Sequence, residues 1–228
     1  MDQGTLDHTV REVTDRELEP KPLLRGVSHL VFGGIAVFAW MTLVVLAPSV
    51  GERTALAVYM VGMCCMLFFS SLMHRGNWSP STAHTLLKLD LTGIYLAISG
   101  TYTALVGIGI TGWARPAILI TVWTGAAIGA AAVWLPIKVH PAFGHVLYLI
   151  LGWVAVLAMP VIWSQLGAAV FFLVLAGGVC YTAGAVAHIT HRPDPVPEVF
   201  GFHEVFHACT IAGAICHYVA VAVIVFGS

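Results

Sequence analysis

Long apolar runs separated by short polar breaks make up most of the chain. A membrane helix needs about 20 predominantly apolar residues to cross the hydrocarbon layer, and seven stretches meet this requirement. The predicted spans are residues 27–47, 54–74, 85–107, 116–137, 143–162, 168–188 and 200–226. The breaks around the fifth span carry the weakest turn signals. The pattern predicts an all-α integral membrane protein, a bundle of seven transmembrane helices.

The polar positions predict how this bundle is oriented. Residues 1–26 are polar and mixed in charge, which predicts a cytoplasmic tail ahead of a seven-helix domain at 27–228. With the N-terminus inside, eight of the ten Lys and Arg residues fall on the cytoplasmic side, and only Arg53 and Arg115 fall opposite. Because positive charge favours the cytoplasmic side, we expect the N-terminus inside and the C-terminus outside.

Composition supports the bilayer as the natural solvent. Hydrophobic residues make up 59% of the chain and charged residues 9%, against about 25% charged residues in ordinary soluble domains. The expected surroundings and partners are therefore membrane lipids. A formal net charge of −1 provides no basic field for a nucleic acid, so that class of partner is excluded.

Four ionisable side chains are predicted to lie at one depth near the cytoplasmic ends of the spans. His74 ends the second span, Asp90 lies in the first turns of the third, and His203 and His207 lie in the first turns of the seventh. Ionisable groups inside membrane helices are costly, so each is a candidate for function. His203 and His207 are four residues apart, which places both imidazoles on one helical face.

Three imidazoles from two helices predict a zinc site. Zn²⁺ held by His74, His203 and His207 keeps a fourth position for water and lowers the pKa of that water toward neutrality. Asp90 is predicted to take a proton from the water or to orient it, and Ser70, one turn before His74, to hydrogen-bond the water or a substrate oxygen. Simpler interpretations stay open: Asp90 could pair with Lys88 or cap a helix end, and Ser70 could be a packing residue.

The segment from His203 to His207 also matches the H-E-x-x-H pattern, in which two histidines bind zinc and the glutamate is the general base. Glu204 could reach the metal water, or it could face a neighbouring helix. A third ligand from an Asp-Gly motif is expected of an intramembrane protease of this type, and the chain has no Asp-Gly. His29, His145, His188 and His217 are expected to be buried, hydrogen-bonded histidines.

Four segments in order carry a resemblance to a known family. They are S-S-L-M-H at 70–74, L-D-L-T-G-I-Y-L-A-I-S-G-T-Y at 89–102, G-G-V-C-Y-T-A-G at 177–184, and F-G-F-H-E-V-F-H at 200–207 followed by C-H at 216–217. With these segments the chain resembles the bacterial hemolysin III family, which belongs with the progestin and adipoQ receptors, including the adiponectin receptors.

The resemblance implies a seven-helix bundle with zinc bound by His74, His203 and His207, the family's aspartate at Asp90 and its serine at Ser70. It also implies a multi-pass protein of the bacterial plasma membrane, with the zinc near the cytoplasmic side. Adiponectin receptors are credited with hydrolysing the ceramide amide bond, so a zinc-dependent amide hydrolase acting on a lipid is implied by analogy. Those receptors have Gln where this chain has Glu204, which argues against Glu204 as a shared base.

Three functions remain open. The first is a lipid amide hydrolase, which predicts an apolar cavity that opens toward the bilayer and ends at the zinc. The second is a receptor or membrane-homeostasis sensor in which the zinc is purely structural. The third is a pore-forming cytolysin, which ranks last because the spans show no continuous polar face to line a channel. The sequence leaves the oligomeric state open.

Overall fold

A computed structural model describes residues 21–135 and 142–227, which form six α-helices. All six are long and apolar enough to cross a membrane. The helices are α1 (Val27–Leu46), α2 (Val50–Arg75), α3 (Pro80–Gly109), α4 (Ala114–Trp134), α5 (Ala142–Thr190) and α6 (Phe202–Phe226). Within the described ranges the only β-type pairing is an isolated bridge between Val196 and Phe200. The predicted all-α membrane class is therefore confirmed.

The predicted fifth and sixth spans fall within one long helix. Helix α5 contains 49 residues and no separating loop at 163–165, but Gly167 has a non-helical backbone with φ 80° and ψ 176°. Glycine adopts this region because it has no Cβ. The number of crossings and the orientation of the bundle thus remain predictions. The predicted tail lies mostly outside the described residues, as do Lys138 and Ser228.

Polar caps begin helices α2 and α3 earlier than the apolar pattern predicts. The Ser49 hydroxyl accepts a hydrogen bond from the Glu52 amide, and the Glu52 carboxylate accepts one from the Ser49 amide. This reciprocal capping box starts α2 at Val50. Ser79 caps α3 in a similar way by accepting from the Thr82 amide. The first N–H groups of a helix have no partner within the helix, and these serine caps supply one. The helices therefore extend beyond the apolar runs to the capping residues.

Glycines bring α2 and α3 unusually close, and this pair has the most extensive contacts among the helices. A Cβ on Gly93 would lie 2.8 Å from the Met66 Cα, and one on Gly62 would lie 2.3 Å from the Leu96 carbonyl oxygen. Small residues allow such close backbone approach in membranes. The contact at Gly93 places the end of α2 beside the beginning of α3.

The outer surface of the bundle is strongly apolar. Ile35, Phe38 and Leu157 have exposed fractions of 67%, 75% and 81%. Exposed apolar patches of this kind are rare on soluble monomers but suit a protein surrounded by lipid tails.

The segment that precedes α1 crosses the end of the bundle where α2 ends and α6 begins. The amides of Leu23 and Leu24 donate to the carbonyls of Glu198 and Val199, at 3.0 and 3.1 Å. The Lys21 ammonium donates to the Gly76 carbonyl at 3.1 Å. We call residues 21–26 the N-terminal segment; these contacts attach it to both neighbouring loops.

Candidate metal centre

His74, His203 and His207 converge at the junction of α2 and α6. One ring nitrogen from each residue lies within 4.8 Å of those of the other two. The Nε2 atoms of His74 and His203 are 3.1 Å apart, and the ring centroids of His203 and His207 are 4.5 Å apart. The four-residue spacing on α6 therefore places the two rings, edge to face at 72°, on the face that meets the last turn of α2.

The three imidazoles fit a metal ion. Zinc–nitrogen bonds of about 2.0–2.1 Å in a tetrahedral site place ligand nitrogens roughly 3.4 Å apart, so small side-chain adjustments suffice. His207 has an exposed fraction of 1%, and its Nδ1 has no hydrogen-bond partner among the described residues. A buried polar atom without a partner is costly, and an ion with its bound water can offset that cost. This cluster could therefore hold a metal ion.

Asp90 and Ser70 lie beside the same cluster. The Asp90 Oδ2 is 3.6 Å from the His74 Nε2. The hydroxyl of buried Ser70 lies within hydrogen-bonding reach of the Asp90 side chain. The structure thus brings all five predicted site residues together, whereas the roles assigned to them remain predictions.

Glu204 is held by groups other than the histidines. Its Oε1 is 2.5 Å from the Arg25 Nε, and its Oε2 accepts a hydrogen bond from the Gly201 amide at 2.8 Å. The carboxylate has an exposed fraction of 1%. The alternative in which Glu204 faces a neighbouring element therefore agrees with the structure.

Two further histidines join the cluster. The His29 ring lies 3.8 Å from the His207 ring, nearly parallel to it, and the His188 ring lies 5.1 Å from the His203 ring. His29 is 2% exposed, and neither of its nitrogens has a hydrogen-bond partner in the described part of the chain, so the expected hydrogen bond is absent there. The signal that could have identified His29 is its depth, since it lies in the first turn of α1.

Of the other histidines expected to be buried and hydrogen-bonded, one can be checked in the structure. His217 Nε2 is 3.3 Å from the Val174 carbonyl oxygen, which confirms a hydrogen-bonded histidine away from the cluster. The side chain of His145 lies outside the described residues.

An apolar cavity of about 150 Å³ lies one helical turn from the cluster. Its lining includes Met66, one turn before Ser70, Ile94, one turn after Asp90, and Thr210 on α6. The five predicted site residues are not among its lining residues. The cavity therefore neighbours the cluster without reaching it in this conformation.

The fold and the histidine cluster together place this chain in the class of helical membrane proteins with a candidate three-histidine metal centre at one end of the bundle. Residues 19–218 match the family described as Haemolysin-III related, and the chain belongs to that family.

Curated relatives agree with this assignment. Hemolysin-3 of Bacillus cereus is 28% identical over 167 residues, which cover 72% of this chain and 76% of the relative. Hemolysin-3 homolog of Bacillus subtilis (strain 168) is 23% identical over 195 residues, covering 84% and 88%. Heptahelical transmembrane protein ADIPOR2 of Oryza sativa subsp. japonica is 29% identical over 184 residues, covering 73% and 80%.

Proposed function

We propose that this chain is a zinc-dependent hydrolase of the bacterial plasma membrane that cleaves an amide bond in a ceramide-like or similar lipid and serves membrane lipid homeostasis. The observation that carries the proposal is the convergence of His74, His203 and His207, with Asp90 at hydrogen-bonding reach of Ser70 and 3.6 Å from His74. A metal ligand set beside a carboxylate is the arrangement that metal-assisted hydrolysis requires.

The proposed topology has seven crossings, with the N-terminus and the zinc centre on the cytoplasmic side. Helix α5 contains 49 residues, about 74 Å at the helical rise, which is more than twice the hydrocarbon thickness of about 30 Å. A reversal near Gly167 divides it into two spans of ordinary length. The name of the rice relative, a heptahelical protein, supports the same count.

Three side chains hold the ion and two act beside it. His74, His203 and His207 would hold Zn²⁺, which when bound would supply Lewis acidity and lower the pKa of a water molecule toward neutrality. Asp90 accepts a proton from the attacking water at a carboxylate oxygen and later returns it to the leaving amine. Ser70 donates a hydrogen bond to that carboxylate and orients it.

The proposed substrate reaches the centre from the lipid phase. The apolar cavity between α3, α5 and α6 suits part of an acyl chain, and its edge lies one turn from Ser70 and Asp90. A substrate whose carbonyl lies at the cluster and whose chain enters the cavity fits both features.

One observation favours the alternative, a receptor or sensor with a structural zinc. The five site residues do not line the cavity, so the ion could simply tie α2 to α6. In that case metal removal lowers the melting temperature and no lipid is cleaved.

The test combines metal analysis with a product search. Purified protein and the His207→Ala variant are assayed for bound metal, and bacterial lipid extracts are then searched for released fatty acid. His217→Ala is the matched control for metal content alone, because it removes a histidine from the same helix away from the cluster, although His217 lines the apolar cavity. Stoichiometric zinc with fatty-acid release supports the hydrolase; zinc without product supports the sensor. Protein without metal affinity rejects both.

A further inference from the structure

We infer that Arg25 is a positioning residue for the metal centre: by pairing with Glu204 it fixes the first turn of α6, where two of the three ligands lie. This inference rests on the proposed metal centre but not on hydrolysis. It gives the glutamate of the H-E-x-x-H pattern a role other than that of general base.

The position of Glu204 on α6 is the first step. Glu204 lies between His203 and His207 in the chain, so any shift of its backbone moves both ligands. Its Oε2 accepts from the Gly201 amide at 2.8 Å, which satisfies an N–H group that the helix start leaves unpaired. The other carboxylate oxygen is directed to Arg25. Both carboxylate oxygens are therefore occupied in holding the start of the helix.

Burial makes the partner of Glu204 essential. The carboxylate is 1% exposed, and its paired guanidinium is 19% exposed. Breaking a buried pair by removing one member leaves an uncompensated charge, which costs far more than the pair itself contributes. Without Arg25, the buried carboxylate has to take up a proton or move toward water, and either change weakens its hold on the α6 start.

The N-terminal segment presents Arg25 in the required place. Backbone hydrogen bonds from Leu23 and Leu24 attach it to the loop before α6. On its other side, a Cβ on Gly26 would lie 3.1 Å from the His74 Cβ, so the segment contacts α2 next to the third ligand. Arg25 therefore links the segment that touches His74 to the helix turn that carries His203 and His207.

The experiment is a double-mutant cycle with zinc affinity as its readout. Arg25→Gln, Glu204→Gln and the double variant are purified, and zinc affinity is measured by competition with a chelator. Melting temperatures are recorded with and without zinc. Arg53→Gln is the matched control, because the Arg53 Nε also donates a hydrogen bond, in this case to the Ala47 carbonyl. That bond lies between the end of α1 and the beginning of α2, at the end of these helices opposite to the cluster.

We expect Arg25→Gln to weaken zinc binding by about 10- to 100-fold, as loss of outer-shell partners does in other metal sites. Glu204→Gln keeps an acceptor for the Gly201 amide and should cost less. The double variant should bind more tightly than Arg25→Gln alone, because no buried charge is left unpaired. The zinc-dependent rise in melting temperature should shrink in Arg25→Gln and remain in Arg53→Gln.

The opposite results would overturn the inference. Zinc affinity unchanged or increased in Arg25→Gln would remove Arg25 from the metal centre. An equal fall in melting temperature with and without zinc would make the pair merely structural. Zinc binding or turnover lost in Glu204→Gln but retained in Arg25→Gln would make Glu204 a ligand or base. Wild-type protein without metal affinity would reject the proposed function together with this inference.

Discussion

The His29 imidazole lies face to face with the His207 imidazole, with ring centroids 3.8 Å apart and planes 15° from parallel. A metal-binding histidine usually has its ring oriented by a hydrogen bond from its second nitrogen. His207 Nδ1 has no such partner among the described residues. Among the ring contacts of His207, the one with His29 has the shortest centroid distance and is the only stacked one in the described part of the chain. Parallel rings cannot both direct a nitrogen lone pair at one ion, so the geometry makes His29 a neighbour of the three candidate ligands and not a fourth candidate.

Two substitutions of His29 distinguish the contribution of its aromatic face from the contribution of its ring nitrogens. His29→Phe keeps an aromatic face against His207 and should retain zinc affinity close to that of the wild type. His29→Leu loses the face and should bind zinc about two- to tenfold more weakly, since an aromatic pair contributes about 0.5–1.5 kcal/mol beyond its buried area. Chelator competition and the absorption spectrum of the Co²⁺-substituted protein measure this difference. If His29→Phe is as weak as His29→Leu, a nitrogen of His29 takes part in the centre.

Asp90→Asn should abolish turnover and leave zinc bound. The amide keeps the shape of the side chain and its hydrogen bond from Ser70, but it cannot accept a proton. Loss of a general base costs typically 10²- to 10⁴-fold in rate. Fatty-acid release and metal content are measured on the same preparation. Retained activity would remove Asp90 from the mechanism, and lost zinc would make it a structural partner of His74.

Ser70→Ala tests the neighbour of that carboxylate. The hydroxyl is buried and within hydrogen-bonding reach of Asp90, so its removal should lower turnover by about tenfold while zinc stays bound. Ser71→Ala is the matched control, because the Ser71 hydroxyl donates to the Phe68 carbonyl at 3.1 Å within its own helix. Equal effects from the two variants would show that Ser70 acts through packing alone.

Much of the site could be predicted because its residues are related by helix periodicity and chain direction. Spacing on α6 fixes the relation of His203 to His207, and alternating spans bring His74 and Asp90 to a matching depth. The Arg25–Glu204 pair was not predictable, since it joins residues 179 positions apart through a segment without regular structure. The interruption of α5 was predicted between residues 162 and 168, but its form was not: the chain stays helical through 163–165 and leaves the helical region at Gly167. Hydropathy locates a boundary between two spans and does not register the conformation of a single glycine.

Replacing any one of the three candidate ligands should abolish the rise in melting temperature that zinc produces. If free zinc is about 100 times its dissociation constant, binding adds about 2.7 kcal/mol to the folded state, which corresponds to roughly 5–10 °C in melting temperature for a chain of this length. His203→Ala should lose this increment, and His217→Ala should keep it. Thermal unfolding with added zinc and with a chelator measures both. An increment that survives in His203→Ala would exclude that residue from the ligand set.

Gly93→Ala should damage the centre without touching any ligand. A Cβ at this position would lie 2.8 Å from the Met66 Cα, which is backbone and cannot move aside as a flexible side chain would. Helix α3 must therefore shift away from α2, and Asp90, three residues earlier, moves away from His74 with it. Such overpacking costs about 1–3 kcal/mol, and turnover should fall further because Asp90 is displaced. The control for Gly93→Ala is Gly34→Ala, since a Cβ on Gly34 meets no atom within 4 Å.

Thermal unfolding and the fatty-acid assay, run on both glycine variants, check this outcome. If Gly93→Ala matches Gly34→Ala in both measurements, the two helices tolerate a wider separation and the position of Asp90 does not depend on this contact.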